Sequence, residues 1–117
     1  MARPLFCAWC TLLFSAMFHP YPTLGDAAAH LALLPLFARQ LCGMRSAFLV
    51  ASGYVYVMLL SPIFWHLWIH ARVANANFFF AITLAYTATQ SILAVGCVTS
   101  TLAHDRRVKL ALAAKRE

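Results

Sequence analysis

Two stretches decide the fold: Ser46 to Ala71, SAFLVASGYVYVMLLSPIFWHLWIHA, and Phe78 to Ala103, FFFAITLAYTATQSILAVGCVTSTLA. Neither contains Asp, Glu, Lys or Arg. As helices rising 1.5 Å per residue, their roughly 26 residues reach about 39 Å, more than the ~30 Å hydrocarbon core of a bilayer. Both are predicted to be transmembrane helices. The first carries Pro62 and ends in Phe64-Trp65-His66-Leu67-Trp68, aromatic residues suited to a membrane interface. In the second, Thr83, Thr87, Gln90, Ala94, Cys97 and Thr101 recur every three or four residues, a small and polar stripe expected to pack on other helices instead of lipid.

Outward from these spans the sequence stays apolar. Of 117 residues, 63% are hydrophobic and 10% charged, too little polar surface to coat a soluble particle of this size. A soluble globular enzyme is excluded on composition. Leu5 to Phe18 is an apolar run of about 14 residues, roughly 21 Å as a helix and short for a span. It follows Arg3 in the manner of a secretory signal, yet no small-x-small cleavage site precedes His19-Pro20-Tyr21-Pro22. HPYPTLGD, residues 19–26, reads as a turn, with a helix expected to begin at or just after Asp26. Ala27 to Cys42 has a helical apolar pattern that Pro35 should kink. The expected architecture is an all-α membrane protein of three to four transmembrane helices, the first two short or kinked, forming a single unit over residues 1–117.

The net charge of +6 is not spread over a polar face. Arg106, Arg107, Lys109, Lys115 and Arg116 cluster in the last dozen positions, which argues for membrane orientation over nucleic-acid binding. If all four apolar segments cross, Arg3, Arg39, Arg45 and this tail share one side, leaving Arg72 alone on the other. Both termini then lie in the cytosol, and residues 104–117 form a basic tail on the anionic leaflet. If Ala27 to Cys42 is re-entrant, the N-terminus moves to the lumen and the tail stays.

Few residues suggest covalent chemistry. Cys7 and Cys10 have C-x-x-C spacing but sit in an apolar helix, where burial disfavours a thiolate. His66 and His70 share a helix face at metal-ligand spacing, but nothing beside them supplies further ligands. No Gly-rich phosphate loop, nucleophile elbow or carboxylate pair occurs, so neither a metal nor a cofactor is expected. Asn75 and Asn77 stand at the mouth of the second span, where their amides either cap the helix or hydrogen-bond a polar headgroup.

Three strings carry a resemblance: YPTLGD at 21–26, FWHLWI at 64–69 and ANANFFFAITL at 74–84. In order, they resemble the C-terminal region of the PIG-U family from about His19 to Ala103. That family supplies a multi-spanning subunit of the glycosylphosphatidylinositol (GPI) transamidase of the endoplasmic reticulum. The resemblance implies a non-catalytic subunit, with the nucleophile in a cysteine-protease-like partner. It implies binding of the GPI lipid or of the hydrophobic C-terminal attachment signal, and places the lipid-binding asparagine pair on Asn75 and Asn77. Other transamidase subunits are the expected partners, and the endoplasmic reticulum membrane the expected location. Because the family's proteins are much longer, residues 1–18 are expected to be the end of a preceding helix.

Competing readings are a small four-helix transporter, which lacks an acidic residue between Asp26 and Asp105 for proton exchange, and a truncated, non-functional fragment. A membrane acyltransferase using His30, His66 or His70 lacks an evident acidic or asparagine partner.

Overall fold

The computed structural model describes residues 3–19, 22–73 and 75–115. Tyr21 and Ala74 of the family-like strings, and Arg116 and Glu117 of the tail, lie outside the described residues. Among the described residues five α-helices and one 3₁₀ turn follow in order: α1 Pro4–Phe18, α2 Leu24–Ala32, the 3₁₀ turn Leu34–Phe37, α3 Ala38–Cys42, α4 Ala47–Ile69 and α5 Ala76–Ala114. No strand occurs among the described residues.

Each boundary has a local cause. Pro4 opens α1 where its missing N–H is harmless. Helix α2 starts earlier than the sequence suggested, because Thr23 and not Asp26 is the cap. The Thr23 hydroxyl accepts from the Asp26 N–H at 3.2 Å, and the Asp26 carboxylate accepts from the Thr23 N–H at 2.9 Å. Asp26 therefore closes a reciprocal box from inside the first turn. Pro35 does more than kink the next segment. The helix stops at Ala32, a 3₁₀ turn carries the chain through Leu34–Phe37, and α3 resumes at Ala38. A proline lacks the N–H that an α-turn needs and crowds the residue before it. None of these short pieces is long enough to cross a membrane alone.

Helices α4 and α5 are long and apolar enough to do so, and α1 is shorter. Only 11% of the most apolar window of α4 and 33% of that of α5 is buried within the chain, whereas the core helix of a soluble protein would be covered by protein. Their outward faces, including Phe48, Val55 and Leu59 of α4 and Phe80, Val95 and Leu102 of α5, are more than half exposed. Lipid is the solvent that such surfaces fit. Helix α5 runs unbroken from Ala76 to Ala114, about 58 Å at 1.5 Å per residue, so the basic tail begins with no structural break at His104. The molecule is accordingly a rod, 71 × 24 × 19 Å.

The chain runs back and forth as four legs, α1, α2 with α3, α4 and α5. At one end Arg3 pairs with Asp105 of α5, Gln40 of α3 reaches Arg3 Nη1 at 3.3 Å when its amide oxygen is turned that way, and Gly43 abuts Ser100. At the other end Phe64 stacks on Phe78 and Trp68 meets Phe79, with ring centroids 6.0 and 6.2 Å apart. Between them lies a core in which Trp9, Leu13, His30, Gln90, Leu93 and Cys97 are wholly buried. The stripe on α5 behaves as expected: Gln90, Ala94, Cys97 and Thr101 are buried, and Thr83 and Thr87 half-buried. Thr87 and Thr101 return their hydroxyls to carbonyls four residues back, at 3.0 and 2.8 Å, so they pack without leaving donors in the apolar interior.

Candidate functional site: an apolar groove

The start of α2, the stretch of α4 from Tyr54 to Trp65 and the stretch of α5 from Phe79 to Tyr86 enclose a groove of about 470 Å³. Leu24, Ala27, Val57, Met58, Phe79 and Ile82 give it an apolar wall, while Thr23, Ser61, Tyr54 and Tyr86 add a few polar groups. Met58 and Pro62 both line it. Since a proline has no N–H, the Met58 carbonyl lacks its usual partner four residues on. Irregular backbone of this kind is tolerated at membrane depth where it lines a cavity.

A polar chain crosses behind the groove. His30, wholly buried, places Nδ1 2.8 Å from the Asp26 carbonyl and Nε2 3.0 Å from the Tyr54 hydroxyl. A carbonyl can only accept, so the network assigns the proton to Nδ1, and Nε2 of the neutral ring accepts from Tyr54. Trp9 donates its indole N–H to the His30 carbonyl at 2.9 Å, tying α1 to the same point. Tyr54 then meets Tyr86 edge-on, with centroids 6.0 Å apart. Burial holds the His30 pKa below the usual histidine value. The half-buried Asp26 carboxyl is held below its usual range, first by the Thr23 N–H and then by the Thr23 hydroxyl.

Asn75 caps α5, its Oδ1 accepting from the Asn77 N–H at 3.1 Å. The sequence left capping and ligand binding open, and the geometry realises the first for Asn75. Both asparagines are exposed, and neither lines the groove, but Asn77 is two residues from Phe79, which does. His66 and His70 place their rings 5.1 Å apart with Trp65 against His70, and no group of three metal-ligating side chains forms among the described residues. Cys7 is exposed and Cys10 half-buried, both as free thiols. Sequence reasoning missed Tyr54 and Tyr86, and saw His30 only as a histidine without a partner. Its partners are a backbone carbonyl and a tyrosine 24 positions away, which no local spacing announces.

The PIG-U family model, described as "GPI transamidase subunit PIG-U", matches residues 1–86. This chain belongs to the PIG-U family. It is 38% identical over 91 residues to the "GPI-anchor transamidase component PIGU" of Homo sapiens, covering 78% of this chain and 21% of that protein. With the "GPI transamidase component GAB1" of Saccharomyces cerevisiae it shares 41% identity over 75 residues, 63% of this chain and 19% of the relative. The chain thus spans about a fifth of the length of these curated relatives. While the match to the human relative is 91 residues long, the family model takes in α1 as well as the three strings and ends at Tyr86, about a third of the way along the apolar part of α5. Every residue lining the groove, from Pro22 to Tyr86, falls inside it.

Proposed function

We propose that the chain serves as a non-catalytic subunit of a GPI transamidase in the endoplasmic reticulum membrane, where it recognises the GPI lipid or the hydrophobic attachment signal of the proprotein. The groove takes the apolar part of that ligand, and Asn75 and Asn77 meet its polar part at the rim. The observation that carries this reading is the coincidence of the groove with the family-matched stretch: its apolar walls, at the depth of two spanning helices, all come from residues 22–86. The name shared by the relatives, a transamidase component, supports a role among other subunits. The engagement of both ring nitrogens of His30 supports a structural use of the buried histidine over a catalytic one. The charge distribution favours a cytosolic tail, which sets the groove and the asparagine rim toward the lumen.

Cells that depend on this chain test the proposal through surface display of a GPI-anchored reporter. Asn75→Ala with Asn77→Ala is expected to lower display while membrane insertion persists. Because Asn75 also caps α5, Asn75→Ser with Asn77→Ala is the sharper variant: it keeps a capping acceptor and removes both amides. Normal display with either pair contradicts the assignment of the asparagines to ligand binding.

A further inference from the structure

The hydroxyls along the groove belong to Thr23, Tyr54, Ser61, Thr83 and Tyr86. Three of them are spent inside the chain: Thr23 donates to the Asp26 carboxylate at 2.8 Å, Tyr54 bonds His30 Nε2 at 3.0 Å, and Thr83 donates to the Phe80 carbonyl at 2.7 Å. The Tyr86 hydroxyl is unpaired among the described residues but sealed, as is the wholly buried Gln90 amide one turn on, so neither is open to a ligand in the groove. Ser61 remains. It is half-buried, and its hydroxyl is neither bonded among the described residues nor sealed. Its neighbours behave differently: every threonine of α5, and Ser52 and Ser91, returns its hydroxyl to a carbonyl three or four residues back.

Depth narrows what reaches Ser61. The residue stands one turn before Trp65, about 6 Å inward along α4, and Trp65 and Trp68 near the end of that helix mark the membrane interface. Further inward the wall is Val57, Met58, Ile82 and the ring of Tyr54. The groove therefore offers one open hydroxyl just under the interface and no other below it. A glycerolipid presents its atoms in the same order, an acyl carbonyl and then hydrocarbon. An apolar peptide helix entering there has its backbone bonded internally and gives the hydroxyl no acceptor. Resting on the groove reading above, we infer that Ser61 is a specificity-determining residue that donates a hydrogen bond to the ester carbonyl of a lipid whose acyl chain lies in the groove.

The inference is tested on the full chain in nanodiscs, using a phosphatidylinositol with photoreactive ester-linked chains and its ether-linked counterpart, with cross-links mapped by mass spectrometry. Groove residues such as Met58 and Ile82 are expected to be labelled about three- to tenfold more by the ester than by the ether, the range that a single hydrogen bond supports. Ser61→Ala, which removes only the hydroxyl, is expected to abolish that preference while leaving ether labelling unchanged. A preference that survives in Ser61→Ala overturns the role of Ser61. Equal groove labelling by the two lipids in the unaltered chain also overturns it, and leaves the groove as a lipid site. Labelling confined to outward residues such as Phe48 overturns lipid occupancy itself, and with it the groove reading. Displacement of both lipids from the groove by an attachment-signal peptide overturns the inference in favour of the peptide.

Discussion

His30 Nε2 lies 3.0 Å from the Tyr54 hydroxyl, joining the capped helix α2 to the spanning helix α4 at a point closed to solvent. Tyr54→Phe removes the donor and leaves an imidazole nitrogen buried without a partner. The expected loss is about 1–2 kcal/mol in detergent-solubilised protein, read as a lower thermal unfolding midpoint. Adding His30→Leu is expected to recover part of that loss, because no polar atom of the pair is then left unpaired. Additive losses in the double variant contradict the pairing.

The same element makes stability depend on pH. Folding lowers the pKa of His30 from 6.5, chiefly by burial, and that of Asp26 from 3.8, chiefly through the Thr23 N–H. Both groups therefore favour the folded state in their deprotonated forms. The His30 contribution is complete above pH 6.5 and fades as pH falls from there toward its lowered value; the Asp26 contribution follows at lower pH, below 3.8. Unfolding midpoints recorded from pH 8 downward are expected to show the first step in the parent and lose it in His30→Leu. An unchanged first step in that variant assigns it to another group.

Gly53 faces Thr89 across the contact between α4 and α5. A Cβ on Gly53 would lie 2.6 Å from Thr89 Oγ1 and 2.9 Å from its Cγ2. Thr89 has little room to turn away, being β-branched, with its hydroxyl bonded to the Ala85 carbonyl at 2.9 Å. Gly53→Val is therefore expected to force the helices apart, at about 1–3 kcal/mol. Resistance of the folded form to titrated SDS measures it, and Gly53→Val paired with Thr89→Ala is expected to regain part of the loss.

Arg3 and Asp105 close the opposite end, with both side chains a little over a quarter exposed. At that exposure the pair is worth less than about 1 kcal/mol. Arg3→Asp is expected to be mildly destabilising, and Arg3→Asp with Asp105→Arg to restore the parent midpoint. High salt should shrink both effects. A charge swap that fails to restore stability contradicts a direct pair.

How much of this was legible in the sequence depends on the range of the physics involved. Helices α4 and α5 announce themselves by length without charge, and the α5 stripe by its three- and four-residue spacing; both are properties of one helix. Pro35 signals a disturbance, but whether a helix bends or breaks depends on what the next turn packs against, and here Phe37 packs on Phe6 and Trp9. The capping box was within reach, since Thr23 and Asp26 have the right spacing, but the acidic residue drew the boundary to itself. The groove was not legible at all. It needs α2, α4 and α5 placed side by side. Asn75 and Asn77 were visible as amides at a helix mouth, while the cap that Asn75 forms and the absence of both from the groove wall required the fold.

The central claim is that this chain works within a GPI transamidase. Its most direct test is to tag the C-terminus, purify the chain from its own cells in a mild detergent, and identify what co-elutes by mass spectrometry. The account predicts the other transamidase subunits, the protease-like one included, in stable proportion to the tagged chain. A chain that inserts into the membrane and elutes folded but without them contradicts it.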